Sequence, residues 1–351
     1  MTVKATHPRD ARFVTVEEIR ATAIGNLPRD VADYLEAGAG TERTLRANRE
    51  AFGRWVIRPR PMSGVSAPRT STTLLGIPLS VPVLTAPFGG DGLFAAEGHL
   101  AVARANASCG TVSVVPEVGT FSYEQVRAAA PAAARIAQVH PFDSFDPVAR
   151  RIRDAGYDAL CVTVDCPVIG YRARSRMNRL RPDRSIWAGN AEADGTPSVT
   201  QMFRDGITEQ APPWTWDKLA AAAARQDLPW IAKGILTGEA ARAALDAGAA
   251  AIVVSNHGGR QVDPAPASLD ALPEVAAAVG GRVPVLLDSG VRTGADAVLI
   301  GRLAAYGLAA AGEAGVRRTI ELLAEELRTL MILAGTPDIA AITSAVISRR
   351  T

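Results

Sequence analysis

The pattern of apolar and polar positions changes character near residue 81. Before that point the chain is polar with a helical period. Thr15 followed by Glu18 has the spacing of a capping box ahead of a short helix. Pro28 marks a helix start leading into RDVADYLEAGAG, expected to end at a glycine, and a further helix is predicted over roughly Glu42 to Phe52. From residue 81 onward, short uninterrupted apolar runs alternate with amphipathic stretches. The runs are VPVLTAP (81–87), TVSVVP (111–116), ARIAQVH (134–140), ALCVTVD (159–165), PWIAKG (229–234), AAIVVSN (250–256), VPVLLDS (283–289) and AVLIGR (297–302). Intervening segments such as GHLAVARANAS, DPVARRIRDAG and EAARAALDAG read as helices. Apolar runs without alternation suit strands buried on both faces. Eight of them in a βαβα series predict an α/β fold, a (β/α)8 TIM barrel rather than a doubly wound sheet. The expected organisation is a single domain over 1–351, with an N-terminal helical cap (1–80) and a barrel (81–335).

Two connections break the rhythm. Between strands four and five lies a polar, arginine-rich stretch, 171–213, long enough to read as a lid loop at the strand C-terminal end. Between strands seven and eight there is only Asp288 to Asp296. A parallel crossover normally takes a dozen or more residues, usually a helix. The expectation is a shortened link whose apolar barrel face is covered by a partner subunit, covered by neighbouring helices, or left as a stability defect.

Composition narrows the class. Hydrophobic residues make up 48% of the chain and charged residues 21%, with a net charge of +2. That balance gives no reason to expect nucleic acid or an anionic membrane as partner. The three cysteines, Cys109, Cys161 and Cys166, are odd in number and lack CxxC spacing, as suits free thiols in a reducing compartment. No run approaches the ~18 apolar residues of a membrane span, and MTVKATHPRDARF lacks the apolar core of a secretory signal. A cytoplasmic protein is expected. No paired His, Cys or carboxylate spacing suggests a metal.

Functional residues of a TIM barrel sit where strands end. Of four histidines, His7 lies in the polar terminus and His99 opens a helix, whereas His140 and His257 each follow a strand. The run Ser255-Asn256-His257-Gly258-Gly259-Arg260-Gln261 sets a base three residues from a guanidinium, with two glycines that permit close backbone approach. A base beside a fixed cation suits a carboxylate substrate with an adjacent acidic C–H or O–H.

The string SNHGGRQ resembles the active-site signature of the FMN-dependent α-hydroxy-acid oxidase/dehydrogenase family, the glycolate oxidase, lactate oxidase and mandelate dehydrogenase type. DYLEAGAG, the TAP turn, TVDCPVIGYR, AKGI, LLDSGVR and IGR match in order, over roughly 15–345. The resemblance implies FMN as cofactor and oxidation of a 2-hydroxy acid to a 2-oxo acid, with O2 or another acceptor reoxidising the flavin. It implies that His257 takes a proton as hydride passes to FMN and that Asp165 stabilises the resulting imidazolium. Arg260 and Arg172 would clamp the substrate carboxylate, and Tyr34 and His140 would touch the substrate. Lys233 would lie beside the flavin and stabilise its reduced form. Gln138 and Thr163 would bond the isoalloxazine ring, with Pro87, Phe88 and Gly89 along its edge and Ser255 among the cofactor contacts. Asp288 would hold the ribityl chain, and Gly290, Arg292, Gly301 and Arg302 the phosphate. Members are often homotetramers or octamers.

The chain departs from the family at several points. His140 stands where the family usually has Tyr, and Pro116-Glu117-Val118-Gly119 replaces a Ser-Ser-Trp-Ala type sequence, bringing a new carboxylate near the site. Gly89 stands where many oxidases have Ala. Relative to the family the strand-seven-to-eight link lacks about ten residues, roughly one crossover helix. These departures motivate two alternatives: an FMN oxidoreductase acting on a specialised aryl or amino-acid-derived intermediate, or a flavin-free, non-catalytic relict.

Overall fold

A computed structural model describes residues 13–142, 144–190, 214–291 and 297–350. The polar N-terminal stretch forms α1 (Val16–Asn26), α2 (Arg29–Glu36) and α3 (Arg43–Phe52). The Thr15 hydroxyl accepts from the Glu18 N–H at 3.1 Å, while the Glu18 carboxylate reaches the Val14 N–H at 2.9 Å, one residue further out than a regular capping box. Helix α2 stops at Glu36, short of the glycines at which it was expected to end. Those glycines serve packing instead. The Ala39 N–H donates to the Gly259 carbonyl at 2.7 Å. A Cβ on Gly38 would lie 3.0 Å from that same carbonyl, and one on Gly40 would lie 2.8 Å from the Asp263 carboxylate.

After β1 (Trp55–Ile57) comes a hairpin of β2 (Thr72–Leu74) and β3 (Ile77–Leu79), and then the eight predicted strands. These are β4 (Val83–Thr85), β5 (Ser113–Val115), β6 (Arg135–Val139), β7 (Ala159–Thr163), β8 (Trp230–Ile235), β9 (Ala251–Val254), β10 (Val285–Leu287) and β11 (Val298–Ile300). They close a barrel in chain order, every pair parallel. Leu84, Val114, Ile136, Cys161, Ile231, Val253, Leu286 and Leu299 fill its interior, and Leu74, Ile77 and Leu79 of the hairpin join them as a plug. Each such side chain contributes about 1.5–3 kcal/mol by burial, so truncating any one leaves a costly void. With one end plugged, the opposite end, where the strands finish, is left for a site.

Around the barrel lie α4 (Gly98–Ser108), α5 (Tyr123–Ala129), α6 (Phe145–Asp154), α8 (Trp216–Ala223), α9 (Gly238–Asp246), α10 (Ser268–Val279) and the long α11 (Arg302–Ala334), which breaks helical geometry at Ala311 and Gly312. The chain ends on β12 (Ile347–Arg349), paired antiparallel with β1. Of the 171–213 stretch, residues 171–190 are described and contain the short α7 (Ala173–Met177); 191–213 lie outside the described residues.

Among the described residues the seam between β10 and β11 shows one register pair, Leu287 with Val298, as does that between β4 and β5, whereas β6 and β7 pair from Ile136–Ala159 through Val139–Val162. The outward-facing Leu287, Val298 and Ile300 are nonetheless buried, in one apolar cluster with Ala304, Ala305 and Leu308 of α11. Of the three expectations for this face, cover by neighbouring helices of the same chain is the one observed. No helix among the described residues is long and apolar enough to cross a membrane.

Candidate active site

The strand C-terminal ends open into a cavity of about 1160 Å³. Tyr34, Pro87, Phe88, Gly89, Gln138, His140, Thr163, Arg172, Lys233, His257, Arg260, Asp288, Gly290, Gly301 and Arg302 all line it. Residues nearly 270 positions apart are thus brought together by barrel closure alone. Two predicted residues stand behind the wall. Asp165 contacts the site through His257, and Ser255 is fully buried, its hydroxyl accepting from Lys233 Nζ and from the His257 N–H at 3.1 Å each. Ser255 therefore braces two site residues rather than reaching the cavity. Arg292 lies outside the described residues.

The turn after β9 explains the motif. His257, Gly258 and Gly259 have φ of 59°, 66° and 72°, three consecutive left-handed residues. Only the two glycines adopt this without penalty, so His257 carries the strain, as functional turns often do. A Cβ on Gly259 would lie 2.7 Å from the Leu45 backbone nitrogen. Asn256 holds the turn, its side chain accepting from the Gly259 N–H at 3.0 Å and pairing with Asn48 of α3.

His257 Nδ1 lies 3.2 Å from Asp165 Oδ1, which leaves Nε2 for the cavity. Burial pushes the imidazole pKa below its ordinary value; Lys233 and Arg172 act in the same direction, against Asp165. The ring is therefore an unprotonated base at neutral pH. Burial opposes ionisation of Asp165, but His257 and Lys233 outweigh it and keep the carboxylate charged. Lys233 lies 3.2 Å from Asp288, and together with Asp165 that carboxylate holds its pKa above the ordinary value despite burial.

Arg260 and Arg172 stand on the substrate side. Arg260 Nη1 donates to the Tyr34 and Ala37 carbonyls at 2.8 and 2.9 Å, and its guanidinium lies 4.9 Å from the Tyr34 ring centre. Arg172 Nε donates to the Arg260 carbonyl at 3.2 Å. Among the described residues neither has a carboxylate partner, and burial with Arg172 and Arg302 nearby drives the Arg260 pKa well down. Two cations held by neutral carbonyls beside a neutral base form a receptor for an anion. The segment after β7 reinforces it: Arg174 pairs with Glu42 and Asp33, and Trp187 meets Tyr34 edge-on at 5.9 Å.

The remaining cavity fits a flavin mononucleotide. Its volume exceeds the ~300–1,000 Å³ of a single small-ligand pocket. Gln138 and Thr163 offer polar edges, and buried Lys233 offers a cation. Helix α11 starts at the cavity with Gly301 as N-cap and no side-chain cap, so its first N–H groups suit a phosphate. Arg302, expected at the phosphate, lines the cavity and is also braced from behind. Its guanidinium donates to the Leu35, Gly258 and Ala37 carbonyls at 3.0 Å each, tying α11 to the cap and to the His257 turn.

Other site features have no local signal in the sequence. The aromatic wall of Phe94 and Trp187, and Leu180 beside it, come from segments far apart. Asp91 accepts from the His99 and Thr120 N–H groups at 2.7 and 2.8 Å and fixes the loop that carries Phe88 and Gly89. His140 and Glu117 form a buried pair, with Nδ1 2.9 Å from Oε2.

Comparison with known proteins agrees with this geometry. Residues 23–349 match the family model of FMN-dependent dehydrogenases. An L-lactate oxidase of Nostoc sp. is 40% identical, covering 92% of this chain and 94% of the relative. A 4-hydroxymandelate oxidase of Amycolatopsis orientalis is 38% identical over 94% and 96%. A peroxisomal (S)-2-hydroxyacid oxidase of Arabidopsis thaliana is 37% identical over 95% of each chain. A crystal structure of mandelate oxidase with (S)-4-hydroxymandelic acid superposes with a TM-score of 0.88 at 36% identity, over 96% of this chain and 99% of the other. The chain belongs to the FMN-dependent dehydrogenase family of α-hydroxy-acid oxidising flavoenzymes.

Proposed function

We propose that this protein oxidises a 2-hydroxy acid to the corresponding 2-oxo acid, with His257 as the base. The observation that carries this reading is the imidazole of His257, held through Nδ1 by Asp165 and facing the same cavity as Arg172 and Arg260. The two guanidinium groups fix the substrate carboxylate. That places the α-carbon and its hydroxyl beside His257 Nε2, which accepts the hydroxyl proton. Asp165 then stabilises the imidazolium that forms. When bound, FMN supplies the acceptor for the hydrogen and electron pair leaving the α-carbon, and Gln138, Thr163, Lys233, Gly290 and Gly301 are the residues to hold it, with Asp288 pairing Lys233. Lys233 provides a fixed positive charge where negative charge accumulates on reduction. O2 or another acceptor completes the cycle.

The test is optical. The purified protein is expected to show flavin absorbance that bleaches anaerobically with at least one of glycolate, lactate, mandelate and 4-hydroxymandelate. His257→Ala is expected to retain FMN while bleaching at least about 100-fold more slowly. Normal bleaching in that variant would refute the base assignment. A colourless protein that takes up no added FMN would refute the reading altogether.

A further inference from the structure

Cationic and anionic side chains are out of balance in the cavity. Among the described residues that line it, Asp288 is the one carboxylate, and Lys233 pairs with it at 3.2 Å. Arg172 and Arg260 serve the substrate carboxylate, and Arg302 stands at the end suited to phosphate. Four more arginines, Arg176, Arg179, Arg181 and Arg184, also line the cavity. All come from the segment after β7 and all are exposed, so they stand at the mouth. Arg176 rests on the Tyr171 ring at 4.4 Å. Arg179, Arg181 and Arg184 have no ion-pair partner among the described residues, whereas Arg174 beside them is held by Glu42 and Asp33. Asp183, between Arg181 and Arg184, is committed to its own turn, where it accepts from the Ser185 N–H and hydroxyl at 2.8 and 2.7 Å.

The backbone that carries these arginines is anchored at both ends. Asn178 donates to Asp33 of α2 at 2.7 Å, the Thr120 hydroxyl donates to the Ile186 carbonyl at 2.8 Å, and the Gly189 N–H donates to the Gly119 carbonyl at 3.0 Å. Arg179 follows α7 with φ of 53°, a left-handed position that glycine or asparagine takes most easily, so a guanidinium is kept there against the backbone preference. An aromatic wall separates the mouth from the carboxylate clamp. The Arg260 guanidinium lies 4.9 Å from the Tyr34 ring centre, and Tyr34 meets Phe94 at 6.5 Å and Trp187 at 5.9 Å. Trp187 in turn shares the single 3-10 turn Arg184–Trp187 with Arg184. A Cβ on Gly90 would overlap the Trp187 ring, so the indole is seated directly on the loop after β4.

We propose that the substrate is a 2-hydroxy acid with an aromatic or similarly long apolar body and a second anionic group at its far end, held by Arg181 and Arg184 with Arg179 beside them. This rests on the function proposed above and names its substrate class. Arg172 and Arg260 fix the α-carboxylate at one end, and Tyr34, Phe94 and Trp187 flank the body. The far anion then meets guanidinium groups that have no carboxylate of their own, and a planar fork suits an oxyanion. The reacting carbon stays beside His257, so the second charge acts on binding rather than on the chemical step.

Two ligands of nearly equal shape test this. 4-Carboxymandelate carries the second charge and 4-carbamoylmandelate does not. In anaerobic flavin reduction by the holoenzyme, the apparent Kd is expected to be about 10-fold lower for the first, with similar limiting rates. Replacing both Arg181→Gln and Arg184→Gln should bring the ratio of the two Kd values close to one. The ratio is taken within one protein, so a general loss of folding or of FMN moves both ligands alike and does not imitate the result. A ratio near one in the wild type overturns the proposal, and so does a preference that survives in R181Q/R184Q. Reduction by other 2-hydroxy acids with neither mandelate derivative active also overturns it and leaves the function proposed above standing. If no 2-hydroxy acid bleaches the wild type, that function falls and this substrate class with it.

Discussion

At the scale of single residues, the His257 turn and the Glu117–His140 pair make opposite demands on the fold. The turn stores strain. Gly259→Ala places a Cβ 2.7 Å from the Leu45 nitrogen at a residue with φ of 72°. The expected cost is about 1–3 kcal/mol from the backbone alone, with further loss as α3 shifts. Thermal unfolding should show a clear drop in Tm and reduced FMN retention; an unchanged Tm would mean that the turn relaxes freely. The pair instead adds stability with a definite pH dependence. Against the opposing effect of burial, Cys166 and Glu117 together raise the folded pKa of His140 from 6.5 to about 9, so the folded state binds the proton more tightly than the unfolded chain. The contribution is fully present below about 6.5 and is lost as pH rises through about 9. It is of the order of 3 kcal/mol. Urea unfolding below and above this window should reveal the loss in the wild type and a smaller one in E117Q.

Between elements, the side chains that matter join segments remote in sequence. Arg302 at the start of α11 donates to carbonyls of the α2 end and of the His257 turn. Arg302→Met removes all three bonds and leaves buried acceptors unpaired, at about 1–3 kcal/mol each where water cannot enter. Loosening of the cap against the barrel is the expected outcome, read as faster proteolysis between α2 and α3; unchanged cleavage would rule out the staple. This contact also shows what was legible beforehand. The eight strands could be read because strands buried on both faces leave uninterrupted apolar runs. His257 and Arg260 could be read because one turn places them together, and a string that short survives as a motif. The end of α2 could not, since AGAG has the look of a helix stop and its glycines answer to a carbonyl and a carboxylate more than 200 residues away. The Glu117–His140 bond escaped for the same reason: both residues were visible at strand ends, but their pairing depends on the register of β5 against β6, where Val115 lies opposite Ala137.

For the whole molecule, the barrel is unevenly closed. β6, β7 and β8 are paired along their length, whereas among the described residues β10 and β11 share one register pair, Leu287 with Val298, as β4 and β5 do at Thr85 and Ser113, and the link from β10 to β11 is shorter than a parallel crossover normally requires. Asp288 and Gly290 follow the first of these strands and Gly301 and Arg302 the second, so this sparsely paired seam is also the part of the cavity suited to the flavin phosphate. A ligand that bridges both strands stabilises the closed barrel by its binding free energy, and that gain falls where strand pairing is sparse. Hydrogen exchange should therefore differ across the molecule. Without FMN, amides of β10 and β11 should exchange faster than those of β6 to β8; with saturating FMN, the seam should gain the most protection. Uniform protection in both states would show that α11 and its apolar contacts alone suffice to close the barrel. A seam that remains fast with FMN bound would place the phosphate elsewhere. The expected result, slow exchange at the seam only in the holoprotein, would make the flavin a structural part of a barrel that has lost a crossover.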